Sequence, residues 1–227
     1  RLLGEQIDKK AVSMTYRTLL NNAPDKLHKL RERWERDIAE LEDIDWEAAL
    51  MHPREVAIKS RLRLIQLKIL HRCYYDQKRL HLMGRADSAR CLRCIQGEGT
   101  FMHTLWGCPQ IQAYWGSIVG ELNAILDFIV PMEPAYILLG IPNDVDLPRY
   151  KLTFCNLGLM VAKRDIARRW GARECPTLGE WRVGMDMYMA AEKTTYSARG
   201  CPQKFLKIWG SWLQHHDIDR LLSDPDE

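Results

Sequence analysis

The stretch Cys91-Leu-Arg-Cys94-Ile-Gln-Gly97-Glu-Gly99-Thr-Phe-Met-His103-Thr-Leu-Trp-Gly-Cys108 decides how the rest of the chain can be arranged. Cys91 and Cys94 are separated by two residues, the spacing at which a tight turn aims two thiolates at one ion. His103 and Cys108 complete the pattern C-x2-C-x8-H-x4-C, and Gly97 and Gly99 let the chain fold back between the two pairs. Three thiolates and one imidazole fill a tetrahedron and leave no open position for a catalytic water, so the expected site is structural and the expected ion is Zn2+. A redox role for Cys-x2-Cys would need a surrounding parallel-sheet pattern, which is missing. Retroviral-type knuckles share the ligand order but have a shorter middle gap.

Outward from this cluster the periodicity is helical. Upstream, the charged stretch from Asp25 to Leu41 favours a helix, a shorter one is expected over Trp46–His52, and Pro53 is placed to open a long helix to about Tyr75. On that helix Ile58, Leu62, Ile65, Ile69, Leu70 and Cys73 fall within an arc of roughly 140°, while Arg61, Lys68 and Arg72 cluster along its edge. Downstream, Pro109–Leu126 carries Ile111, Trp115, Ile118, Val119 and Leu122 at helical spacing. Leu152–Trp170 is expected to turn Leu159, Ala162, Ile166 and Trp170 inward. Thr177 with Glu180 forms a capping box that opens a helix to about Lys193, and a last helix covers 203–214. No run of alternating strands occurs. The expected fold is all-α, a multi-helix module organised around one small CCHC zinc knuckle. Its parts are a connector (1–24), a helical lead-in with the basic helix (25–83), the knuckle and following helix (84–139), a loop (140–150) that could join two packed units, carboxy-terminal helices (151–216) and an acidic frayed tail (217–227).

With 227 residues, 46% hydrophobic and 28% charged, the chain has the makings of a folded protein. No apolar run approaches the roughly 18–20 residues that cross a bilayer, so no membrane role is expected. Seven cysteines, an odd number, with no export signal point to a reducing intracellular compartment. Cys73, Cys155, Cys175 and Cys201 lack ligand spacing and are read as buried hydrophobes, and Trp106, Trp115, Trp170, Trp181, Trp209 and Trp212 as core. No Gly-rich phosphate loop, nucleophile elbow or paired-carboxylate motif is present, so no catalytic residue is expected.

Net charge is only +3, but its distribution is uneven. Between Arg54 and Cys94 eleven basic residues stand against three acidic ones, a local excess of +8 leading into the cysteine cluster. Such a lobe neutralises phosphates and releases counterions, the usual source of sequence-independent affinity for nucleic acid. The candidate contacts are Arg61, Arg63, Lys68, Arg72, Lys78, Arg79, Arg90 and Arg93, with a second patch at Lys163, Arg164, Arg168 and Arg169 on the expected outer face of the 152–170 helix.

The run Arg90–Cys108, followed by Trp115 and by Ile137-Leu-Leu-Gly-Ile141, resembles the carboxy-terminal cysteine-rich part of LINE-type non-LTR retrotransposon reverse transcriptases. Leu30-Arg-Glu-Arg-Trp-Glu-Arg-Asp37 and His71-Arg-Cys-Tyr-Tyr upstream, and Ala162-Lys163 with Trp170 and Cys175-Pro-Thr with Trp181 downstream, extend the resemblance over about 25–215. The resemblance implies a segment that follows the polymerase and binds the element's own RNA, and target DNA, during target-primed reverse transcription. Cys91, Cys94, His103 and Cys108 match the family's metal ligands. It also implies a place in a cytoplasmic ribonucleoprotein particle and the nucleus, with the polymerase portion of the same polypeptide as a partner. The family's endonuclease and its polymerase aspartates have no counterpart here. The alternative expectation is a protein-interaction module that docks on the polymerase or a host factor.

Overall fold

In the computed structural model, residues 14, 27–38, 41, 46–140 and 146–216 are described. Apart from Met14, the expected connector and the acidic tail lie outside them. The architecture is all-α; among the described residues the one β-like pairing is an isolated bridge between Arg90 and Glu98. Two compact units divide at residues 42 and 43. In the first, helix α1 (His28–Asp37) buries Leu30 and Trp34, one turn apart. The loop at 140–150 therefore does not separate packed units; the helices on both its sides belong to the second unit.

That unit opens with α2 (Trp46–Val56), in which Pro53 is internal rather than initial. A proline there removes one backbone hydrogen bond. The helix nevertheless continues because Trp46, Ala49 and Pro53 share one buried face. The chain breaks at 57–59, where the Arg63 Nε donates to the Ala57 carbonyl. Helix α3 (Ser60–Leu70) follows and closes well before Tyr75. Cys73 N–H bonds the Lys68 carbonyl at 2.8 Å and Arg72 N–H the Ile69 carbonyl at 2.9 Å, a Schellman closure with Arg72 in the left-handed region at φ 51°. Glycine is the usual occupant of that position, as Gly84 and Gly200 are where they stand, so the stop is hidden in the sequence. Cys73, expected in the core, is exposed as a result, and Cys175 and Cys201 are half-buried; Cys155 is buried.

The remaining elements are α4 (Gln77–Leu82), α5 (Pro109–Leu126), α6 (Arg149–Arg168), α7 (Leu178–Ala198) and α8 (Pro202–His216), with π-helical turns at His103–Gly107 and Ala135–Leu139. The expected capping box is present: Thr177 Oγ1 accepts from Glu180 N–H, and Glu180 accepts from Thr177 N–H. Helix α6 packs against α2, α3, α5, α7 and α8 together, so every residue from Phe154 to Ile166 is buried. Against it stands an aromatic core. Phe154 meets Trp209 edge-on at 5.4 Å and Trp181 meets Trp212 at 5.6 Å. Four buried indole N–H groups are bonded, Trp181 to the Gly158 carbonyl, Trp209 to Glu192, Trp212 to Asp186 and Trp115 to the Leu105 carbonyl, while buried Trp46 Nε1 has no partner among the described residues. Trp106 and Trp170 are half-exposed.

The enclosure of α6 corrects the expectation of a basic outer face. Lys163 and Arg164 are 1% and 8% exposed. Lys163 Nζ donates to the Ile137 and Leu138 carbonyls at 2.8 and 3.2 Å, capping the second π turn, while Arg164 Nη2 pairs with Asp165 at 2.6 Å. A helix buried all round is usually apolar. Here Lys163, Arg164 and Asp165 are tolerated because each finds an internal partner.

Candidate metal centre

Backbone hydrogen bonds shape the knuckle. Cys91 N–H bonds the Gly97 carbonyl at 2.8 Å, Ile95 N–H bonds the Cys91 carbonyl at 3.0 Å, and Gly99 N–H bonds the Ala89 carbonyl at 2.8 Å. Ile95 takes the left-handed region at φ 62° to turn the chain. His103 begins the first π turn, its N–H held by Thr100 Oγ1 at 3.1 Å, and Cys108 N–H returns to the His103 carbonyl at 2.8 Å. Pro109 then starts α5, which leaves Cys108 at the helix N-terminus.

These turns converge Cys91, Cys94, His103 and Cys108 so that their ligand atoms all lie within 4.8 Å of one another. The Cys91 and Cys108 sulfurs are 3.9 Å apart, and the Cys94 sulfur is 3.3 Å from His103 Nε2. A tetrahedron with Zn–S of about 2.3 Å and Zn–N of about 2.05 Å has edges of about 3.8 Å between sulfurs and about 3.5 Å between sulfur and nitrogen. The donor set thus fits a tetrahedral ion in both spacing and chemistry. Cys91 and Cys108 are sealed from solvent, and Cys94 and His103 are half-buried.

The thiols respond differently to this setting. Burial pushes Cys94 up, but the N–H groups of Gly97 and Gln96, with the His103 ring, favour its thiolate more strongly and hold it at about 6. Burial pushes Cys108 up to about 11 against the opposing N–H groups of Gln110 and Ile111 at the start of α5. Backbone N–H groups aimed at sulfur are what stabilise thiolates on a cation.

Gly97 is required by close approach: a Cβ there would lie 2.8 Å from His103 Cε1. Gly97→Ala therefore has to displace the imidazole, and zinc affinity is expected to fall about 10- to 100-fold in competition with a chelating dye. An unchanged affinity would show that the ring is not a ligand.

Around the donors runs a supporting shell that sequence reading missed. Arg93, expected to contact nucleic acid, is 6% exposed. Its guanidinium donates to the Thr104 carbonyl at 3.0 Å and to the Arg169 carbonyl at 2.7 Å, while its own carbonyl accepts from Gln110 Nε2 at 3.0 Å. Trp170 lies against Tyr74 and Phe101, with ring centroids 5.0 and 5.3 Å apart, and its indole donates to the Tyr75 carbonyl at 2.8 Å. These contacts join the knuckle to the end of α6 across 76 and 95 residues of chain, beyond the reach of any local signal.

The other candidate cations separate into two groups. Arg61, Lys68, Arg79, Arg90 and Arg168 are exposed and form no ion pair with a described residue, although the Arg79 guanidinium lies over the Tyr75 ring, 4.6 Å from its centroid. Arg63, Arg72, Lys78 and Arg169 are half-buried and engaged internally: Arg63 with Ala57, Arg72 over the Phe101 ring, Lys78 with Glu98 at 2.7 Å, and Arg169 with Glu180.

Compared with models of protein families, the chain matches none. One further group of donors, Glu121, His215 and His216, also approaches itself. There Arg182 already occupies both oxygens of Glu121, each at 2.8 Å, and Arg182 as first cause holds that carboxyl below its ordinary value. No helix among the described residues is long and apolar enough to cross a membrane.

Proposed function

We propose that this chain is a zinc-held nucleic-acid-binding module of a LINE-type reverse transcriptase, binding the element's RNA and target DNA without catalytic residues of its own. The observation that carries this is the pairing of a closed Cys3His cluster with exposed cations, on the segments leading into it, that form no ion pair with a described residue. Zinc, bound by Cys91, Cys94, His103 and Cys108, supplies folding energy rather than reactivity. It fixes α4 and α5 where they enter and leave the knuckle, and Arg79 and Arg90 are presented to phosphates from that frame. Arg61, Lys68 and Arg168 extend the basic surface over α3 and α6.

A second function, docking on the polymerase portion or a host factor, is favoured by apolar side chains exposed beside the same frame: Leu82, Met83 and Ile95 are 77%, 53% and 63% exposed. Salt separates the two. The zinc-loaded chain is expected to bind a labelled RNA oligonucleotide with an affinity that falls steeply as salt rises. A log–log slope of about −3.5 follows from five cations at about −0.7 per phosphate. Absent or salt-indifferent binding would overturn the nucleic-acid reading and leave the docking surface.

A further inference from the structure

Two basic segments that are far apart in sequence meet in one place. The start of α3 supplies Lys59 and Arg61, the end of α6 supplies Arg164 and Arg168, and together with α7 they enclose a cleft of about 470 Å³. No acidic side chain lines it. Lys59, Arg61 and Arg168 are exposed and without an ion-pair partner among the described residues. Arg164 forms part of the wall and is fixed there from two sides, by Asp165 at 2.6 Å and by the Tyr188 ring 5.3 Å from its guanidinium carbon.

The wall is built by sequence as well as by packing. Gly184 stands in the middle of α7, where glycine weakens a helix by about 1 kcal/mol relative to alanine. A Cβ at that position would lie 2.2 Å from Arg164 Nη2. The glycine thus makes the space in which this guanidinium lies between α6 and α7. Beside the cations the floor is apolar: Ile65 is half-buried, and Met187 is 67% exposed in the interior of α7.

We propose that this cleft is a subsite for single-stranded nucleic acid, in which Arg61 and Arg168 hold backbone phosphates and an unstacked base rests against Met187 and Ile65. This rests on the nucleic-acid function proposed above and names the strand and the place. A positively charged groove beside an adaptable apolar platform is the arrangement that binds single strands without reading sequence. Duplex recognition needs the reverse shape, an element that protrudes into a groove about 12 Å wide. A concave slot between three helices cannot supply that.

The test uses the full zinc-loaded chain with 12-nucleotide RNA, DNA of the same sequence, and the corresponding blunt duplex. Arg61→Glu with Arg168→Glu is expected to weaken single-strand binding at least about 20-fold at 0.15 M salt and to flatten the salt slope by about 1.4, the share of two phosphates. Duplex binding should change little. Arg61→Gln with Arg168→Gln, which adds no negative charge beside Asp165, should give a smaller loss in the same direction. Met187→Ala should weaken single-strand binding about fivefold, within the range of one lost base contact, and leave the salt slope unaltered. Loss with either RNA or DNA supports the cleft and identifies the strand it holds. If reversal of Arg79 and Arg90 at the knuckle abolishes binding while the cleft variants bind normally, the cleft is wrong and the parent function stands. Equal losses with the duplex overturn the single-strand assignment. If the unsubstituted chain binds none of the three probes, the parent function fails, and the cleft with it.

Discussion

From the proposed function, Cys94→Ser is expected to abolish zinc binding and, in the same step, most RNA binding. Zinc contributes about 10–16 kcal/mol of apparent binding energy to small structural sites at neutral pH, comparable to the whole stability of an ordinary domain. Cys94 is held at about 6 by the N–H groups of Gly97 and Gln96 against the effect of burial, which favours its thiolate at neutral pH. Serine cannot replace a thiolate donor. Its loss leaves Cys91, Cys108 and His103 clustered without a fourth partner, and the turns that depend on them open. Because Arg93 and Trp170 tie the knuckle to the end of α6, the disturbance should reach Arg168 and Arg169 but not the aromatic core. Zinc stoichiometry measured by mass spectrometry should fall from one towards zero, and proteolysis should begin between 94 and 103. RNA affinity should fall more than tenfold, a loss of about 1.4 kcal/mol or more. RNA binding that survives complete zinc loss would show that the basic surface is held by the helices alone.

Lys163→Ala is expected to destabilise the protein by about 3 kcal/mol while leaving RNA binding by the folded chain unchanged. The amine caps the Ile137 and Leu138 carbonyls; the Leu138 carbonyl keeps its bond from Gln66 Nε2 at 2.8 Å, but the Ile137 carbonyl loses its side-chain donor, and a buried carbonyl left unpaired costs about 1–3 kcal/mol. Truncating the stem also opens a cavity inside the ring of helices around α6. Removing a desolvated amine offsets part of this. Burial lowers the Lys163 amine to about 7, whereas in an unfolded chain it titrates near about 10.4. Between these values the folded protein holds a neutral amine and the unfolded chain binds a proton. Unfolding then takes up a proton, so stability rises with pH from about 7 to about 10, by up to about 1.4 kcal/mol per unit. Below pH 7 both states are charged and the full penalty of burial is present. Lys163→Met, which keeps the stem, should lose this rise. Urea unfolding of both chains at pH 7 and pH 9 measures it, and parallel curves would refute the buried-amine assignment. Had Lys163 been a phosphate contact, the RNA affinity would fall and the stability would not.

Local features were legible in the sequence and non-local ones were not. The all-α class follows from helical periodicity, the donor set from Cys-x2-Cys with His103 and Cys108 within 18 residues, and the start of α7 from Thr177 and Glu180. Each of these is decided within a few turns of chain. The end of α3 was not legible because arginine fills a left-handed position that glycine usually marks, nor was the passage of α2 through Pro53, which a shared buried face permits. Lys163, Arg164 and Arg93 were misread for one reason. A basic residue in a helical pattern resembles a solvated face until its partners are known, and those partners lie on other elements or, for Asp165, beside it within the enclosure. The cleft between α3, α6 and α7 was invisible for the converse reason, since Arg61 and Arg168 belong to separate stripes until the helices pack.

The enclosure of α6 also dictates an order of events during synthesis. The knuckle closes on 18 consecutive residues and can take its metal as soon as Cys108 has emerged. Helix α6 emerges later with Phe154, whose ring partners stand on α8, the last helix described. Until Trp209 and Trp212 arrive, Phe154 has neither of these rings to meet. A nascent chain stalled before Pro202 would therefore carry a finished metal site on an unfinished body, the kind of species that aggregates or recruits chaperones.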